Sequence, residues 1–89
     1  MKTTSDPAKR AKTLDERGID FADAVEVFDG PTVDFQDKRK DYGEPRFVTA
    51  GHLRGRMMVV VWTPRGDARH IISMRKANER QTSAFWAAT

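Results

Sequence analysis

Apolar positions follow two patterns along the chain: helical spacing up to residue 30 and strand-like runs after it. The longest run is Met57, Met58, Val59, Val60, Val61 and Trp62. It is rich in β-branched side chains and too short to span a bilayer, which suits a central strand. Thr63 to Asp67, with Pro64 and Gly66 inside, interrupts it with turn chemistry. A last strand then runs from Arg69 to Arg75, where Ile71 and Ile72 sit in a basic frame. Upstream, Val33 and Phe35 share one parity while Asp34 and Gln36 share the other, predicting a strand over Thr32–Asp37. Arg46–Leu53 follows as another, with Arg54-Gly55 as a tight turn into Arg56–Thr63. Connections this short favour three successive antiparallel pairings.

The N-terminal third reads as helix. Asp6 can accept from free amides of a first turn, and Pro7 costs no hydrogen bond at the first helical position. The helix extends to Arg17, with a narrow stripe of Ala8, Ala11 and Leu14, and Gly18 as its C-terminal cap. Asp20 caps a second helix in which Phe21, Ala24, Val25 and Phe28 recur until Asp29, before Gly30-Pro31 stops it. The joint between the helices is short, so they should form a bent pair across the sheet. From Lys76 or Ala77 a short helix reaches about Ala87, with Phe85 and Trp86 available to the sheet or to a partner. Residues 1–5 read as a frayed end or a weak first strand. The expectation is one α+β domain over residues 1–89: two N-terminal helices, an antiparallel sheet of three to four strands and a C-terminal helix.

A chain of 89 residues buries only about 60–65% of its unfolded surface, a thin margin compatible with a partner that completes the structure. There is no cysteine and hence no disulfide or thiolate chemistry, and two histidines are too few for a histidine-rich metal site. With no signal-peptide pattern and no membrane-length apolar run, the expectation is a cytoplasmic protein without membrane contact. The net charge of +3 hides a sharper division. Residues 1–14 carry four bases against one acid, residues 15–44 ten acids against four bases, and residues 45–89 eight bases against two acids. Such asymmetry points to electrostatic binding.

A basic sheet edge makes RNA the first substrate to consider. Cleavage through the 2′-hydroxyl needs a base for its proton, a donor for the departing 5′-oxygen and positive charge against the phosphoryl oxygens. Glu44 and His70 have the proton-transfer chemistry, and Arg46, Arg69 and Arg75 can clamp phosphate. Arg75 stands out at a strand-to-helix junction, and Arg69 shares its strand parity, which predicts one continuous basic strip through Lys76. Lys38, Arg39 and Lys40 are candidates for backbone contact. Each residue also has a plainer reading. His70 can be a surface strand residue, Glu44 can pair with Arg46, and Lys38 to Lys40 can be a solubilising loop. Tyr42 and Trp62 can stack on bases, although Trp62 in an apolar strand is better explained by core packing.

The order of features resembles the BrnT family of ribonuclease toxins from type II toxin–antitoxin systems. The resemblance rests on Asp6-Pro7 with Lys9, Gly18-Ile19 leading to Phe21 and Ala24, and Val27-Phe28-Asp29. It continues through Tyr42-Gly43-Glu44 with Arg46, Gly51, Val59-Val60-Val61 with Thr63 and Arg65, Ile71-Ile72-Ser73 and Arg75-Lys76-Ala77. It implies a RelE-like fold, RNA cleavage without a metal or other cofactor, and charged active-face positions at Glu44, Arg46 and Arg75. It also implies a BrnA-like ribbon-helix-helix antitoxin as partner, a hetero-oligomer with it, and operator DNA contacted through the antitoxin. Phe85 and Trp86 are the candidate antitoxin contacts if they do not complete the core.

The chain departs from the family pattern at several positions. Thr3-Thr4-Ser5 replaces an aromatic strand, Thr13 an asparagine, Glu16-Arg17-Gly18 a Lys-His-Gly sequence, and His70 an arginine. Arg17 keeps a charge for RNA where the family has histidine, and His70 can supply titration from a neighbouring strand. Two other readings compete: a catalytically weak toxin-like protein acting with its antitoxin in promoter autorepression, and a nonspecific nucleic-acid binder using Lys38 to Lys40.

Overall fold

A computed structural model describes residues 2–88. Its elements are β1 (Lys2–Ser5), α1 (Pro7–Arg17), a 3-10 turn (Phe21–Asp23), α2 (Ala24–Asp29), β2 (Thr32–Asp37), β3 (Arg46–Leu53), β4 (Arg56–Arg65), β5 (Ala68–Lys76) and α3 (Glu79–Ala88). The strands make one five-stranded sheet in the order β1-β5-β4-β3-β2. The three expected antiparallel pairings are present, and β1 adds to β5 in parallel, with Thr3 opposite Arg69 and Thr4 opposite His70. The sheet is therefore mixed and wider than the three to four strands expected. Polar side chains on an edge strand leave no hydrophobic signature, yet all four residues pair with β5 through the backbone. Residues 2–5 are thus a strand rather than a frayed end; Met1 lies outside the described residues.

β4 is buried on both faces, which explains its unbroken apolar run. Met58 and Val60 join Ile19, Phe21, Ala24, Val27, Ile71 and Met74 in a core on the helix side. Met57 and Val59 join Ala77 and Phe85 in a second core beneath α3. The register of β4 against β5 slips by one residue: Val61 faces Ser73 while Trp62 faces Ile71, and Ile72 is left as a bulge. The slip lets Ile71 and Met74, three positions apart, face the same core.

The helices only partly follow the expected bent pair. Phe21, Ala24 and Val27 pack on the sheet, whereas α1 buries none of its residues and Leu14 is 48% exposed. A stripe made mainly of alanine offers too little area to dock a helix. What holds α1 is its ends. Asp6 accepts from the amides of Ala8 and Lys9, Gly18 takes a left-handed conformation (φ 68°), and Arg10 makes a bidentate ion pair with Asp20 at 2.7 and 3.1 Å. The second helix opens as a 3-10 turn capped by Asp20, so only its last six residues are α-helical.

At α3 a reciprocal cap forms. The Gln81 amide donates to the Asn78 side chain at 2.8 Å, and the Asn78 amide donates to Gln81 Oε1 at 3.1 Å. Phe85, 3% exposed, seats the helix on the sheet.

Gly51 on β3 lies close against Val27 of α2. A Cβ there would lie 3.0 Å from Val27 Cγ1 and 3.1 Å from Thr32 Cγ2. Gly51→Ala is expected to destabilise the fold by about 1–3 kcal/mol through overpacking, read as a lower urea midpoint at unchanged slope.

Candidate active site on the open sheet face

The sheet presents one face to α2 and the other to α3, and α3 covers only part of its side. Registers define the rows left over: Phe35 opposite Val48, Val48 opposite Val61 and Val61 opposite Ser73. Arg75 lies across from Val59, one row toward α3. Arg46, across from Asp37, and His70, across from Thr63, lie one row the other way. Alternation along each strand therefore puts Arg46, His70 and Arg75 on one face.

The loop after β2 is organised mainly by one carboxylate, with Asp41 accepting from the Gly43 amide. Asp37, nearly buried, accepts from Arg39 Nε and Nη2 at 3.0 Å each, from the Arg39 amide at 3.1 Å and from Tyr42 Oη at 3.1 Å. The Arg39 side chain, then its amide, hold the Asp37 carboxyl well below the usual carboxylate range, with Tyr42 adding to the effect. Asp37 in turn pushes the Arg39 guanidinium further up. The anchored Tyr42 gives Arg46 a ring to lie on, guanidinium carbon 4.0 Å from its centroid, and Lys40 Nζ is 5.2 Å from the same ring. Arg46 Nε is buried and makes no protein hydrogen bond.

Arg75 leans toward α3, where Nη1 donates to Gln81 Oε1 at 2.8 Å. That oxygen is the one used in the Asn78 cap, so the start of α3 and the orientation of Arg75 are set by one side chain. Glu44 pairs with Arg65 at 3.8 Å, not with Arg46 as the plainer sequence reading has it. His70 Nδ1 lies 2.9 Å from Thr4 Oγ1 on β1. In the tautomer where Thr4 accepts from Nδ1, Nε2 carries a free lone pair. Burial, and then Arg65, push the His70 pKa below its ordinary value, while Glu44 and Asp6 act the other way. The shift favours the neutral imidazole.

Arg69 does not share this face. The bulge at Ile72 reverses strand parity between Arg69 and Arg75, so the single basic strip expected from the sequence is broken. Arg69 lies over Phe28 at 4.0 Å and over Trp62 at 5.1 Å on the α2 side. Lys76, opposite Met58, has the parity of that side as well. Trp62 is structural: it stacks on Phe47 at 5.0 Å, meets Phe28 edge-on, and donates to Thr49 Oγ1 at 2.8 Å while Thr49 donates to Asp34. Arg17 stands exposed at the end of α1 and lines none of the clefts on the open face. Lys38 does line that face, together with Arg39 and Arg75. Phe85 completes the core, which removes it as a partner contact, whereas Trp86 is 60% exposed with its ring 5.2 Å from His52. Sequence reasoning missed Phe35, Asp37 and Gln81. The Asn-x-x-Gln spacing at 78–81 was the signal for the last.

The model of a family described as "Ribonuclease toxin, BrnT, of type II toxin-antitoxin system" matches residues 6–81. The chain belongs to the BrnT family. The matched BrnT span takes in Arg46, His70 and Arg75 and ends at Gln81, within the first turn of α3. BrnT membership makes this a toxin of a type II system, with an antitoxin as partner and RNA as target. No curated protein matches the chain. Among the described residues, no helix is long and apolar enough to cross a membrane.

The depressed His70 pKa has a consequence for stability. The unfolded chain takes that proton at about pH 6.5, before the folded protein does, so stability falls as pH drops through about 6.5 and levels off below the folded value. Urea midpoints at pH 7.5 and 5.5 should therefore differ more in the parent protein than in His70→Gln. Equal differences would show that His70 is not held neutral by the fold.

Proposed function

We propose that the chain is a RelE-like, metal-independent endoribonuclease toxin that cuts RNA on the open face of its sheet. The observation that carries the reading is the shared face of Arg46, Arg75 and His70, with Glu44 near His70 and a floor of Val48 and Val61 between. Two arginines across that floor supply charge against the phosphoryl oxygens. His70 Nε2 accepts the 2′-hydroxyl proton, the oxygen attacks the adjacent phosphorus as the bond to the 5′-oxygen breaks, and that oxygen takes a proton from solvent water, leaving a 2′,3′-cyclic phosphate and a 5′-hydroxyl. Lys38, Arg39 and Lys40 extend the cationic rim along the RNA backbone.

A ribbon-helix-helix antitoxin of the BrnA kind inhibits by covering this face in a cytoplasmic hetero-oligomer, and operator DNA is contacted through the antitoxin. Exposed Trp86 is the better candidate for its contact than buried Phe85. One observation favours a second reading, in which catalysis is weak and the complex acts chiefly in promoter autorepression: Arg75 already spends a donor on Gln81.

Purified protein should cleave free RNA in the presence of EDTA and leave 2′,3′-cyclic ends. Arg75→Ala is expected to lower the rate by about 10²-fold or more. His70→Gln should both slow cleavage and flatten the acid limb of the rate between pH 5.5 and 8.5. No cleavage above the Arg75→Ala control, with partner affinity intact, would favour the repressor reading. An unchanged rate and profile in His70→Gln would remove His70 from proton transfer.

A further inference from the structure

Phe35 is the residue on the open face that neither the fold nor the proposed chemistry uses. It sits on the edge strand β2, 57% exposed, while Val33 on the same strand and face packs into the core beneath α3. Val48 meets the edge of that core, and with Phe35 and Val61 it lines a cleft of about 320 Å³. Lys38, Arg39 and Arg75 line the same cleft, against one acid, Asp37, whose oxygens are committed to Arg39 and Tyr42. A flat apolar wall beside cations matches a molecule that is itself flat and apolar on one side and anionic on the other. A nucleotide has that form, and its base gains by stacking on an aromatic ring.

We propose that this cleft is a nucleobase subsite: one base of the RNA stacks on Phe35 over Val48 and Val61, and the phosphate attached to it engages Arg75. The inference rests on the ribonuclease reading and adds to it the group that fixes the RNA beside the catalytic arginine. Phe35, Val48 and Val61 offer no side-chain hydrogen bond, so the wall reads stacking area and not a base edge. A purine is preferred to a pyrimidine at one position, with little further discrimination.

The test separates binding from cleavage by using 2′-O-methyl oligonucleotides, which lack the nucleophile. Fluorescence anisotropy is measured for the parent protein and for Phe35→Ala, Phe35→Leu and Phe35→Trp, with thermal midpoints as a check on folding. Phe35→Ala should weaken binding about 5- to 100-fold. Phe35→Leu should fall with it, because leucine keeps apolar area and loses the aromatic face, and Phe35→Trp should restore affinity. The purine preference should vanish in the alanine and leucine variants.

The subsite is overturned if Phe35→Ala binds as the parent does, if leucine substitutes fully, or if the parent binds no 2′-O-methyl RNA. Loss of antitoxin affinity in Phe35→Ala with RNA affinity unchanged also overturns it and assigns the wall to the protein partner. Phe35-dependent binding in a protein that cuts no RNA would sink the ribonuclease reading and leave the subsite standing. Normal cleavage with unchanged KM in Phe35→Ala would do the reverse.

Discussion

One extra residue in β5 decides how this sheet is used. Ile71 and Met74 must both reach the helix-side core, and a regular strand would turn one of them to the opposite face. The bulge at Ile72 absorbs the difference. Ser73 and Arg75 then point to the α3 side, as His70 does from before the bulge, while Arg69 is sent to the α2 side. The core demands the irregularity, and the division of the cations between the two faces follows from it.

On the α2 side the consequence is structural. Arg69 covers Phe28 and Trp62, and the Trp62-Thr49-Asp34 chain satisfies the polar groups beneath. On the other side the consequence is a face finished at each end by a polar hub. Asp37 organises the loop that carries Arg39 and Tyr42, and through Tyr42 it supports Arg46. Gln81 joins Arg75 to the cap of α3, so the helix that closes one end of the face also sets the direction of an arginine on it. Both hubs work through hydrogen bonds to a charged group, the stronger class of such bonds. The open rows between them carry the apolar wall.

Much of this was legible in the sequence, for identifiable reasons. β2 had clean alternation, β3 was marked off by Pro45 and Arg54-Gly55, and the limits of both were read correctly. β4 was recognisable because two-sided burial makes a continuous apolar run. β1 was legible only as one of two readings of residues 1–5, since Lys2, Thr3, Thr4 and Ser5 carry no hydrophobic signal. The bulge could not be seen: a parity argument assumes a regular strand, so it joined Arg69 to Arg75 across the one position where regularity fails. α1 was read as a packed helix because its stripe had the right period, but the stripe lacked area. The family resemblance pointed to Glu44, Arg46 and Arg75 without reference to parity, and the strand registers put Arg46 and Arg75 on one face with His70.

The claim on which the account turns is that RNA lies on the α3 side of the sheet. Photocrosslinking with RNA carrying 5-iodouridine, followed by mass spectrometry of the crosslinked peptides, reads this directly because each face offers its own aromatics. Adducts on Phe35 or Tyr42 are expected. Adducts confined to Phe28, Phe47 or Trp62, around Arg69, would place RNA on the opposite face and contradict the account.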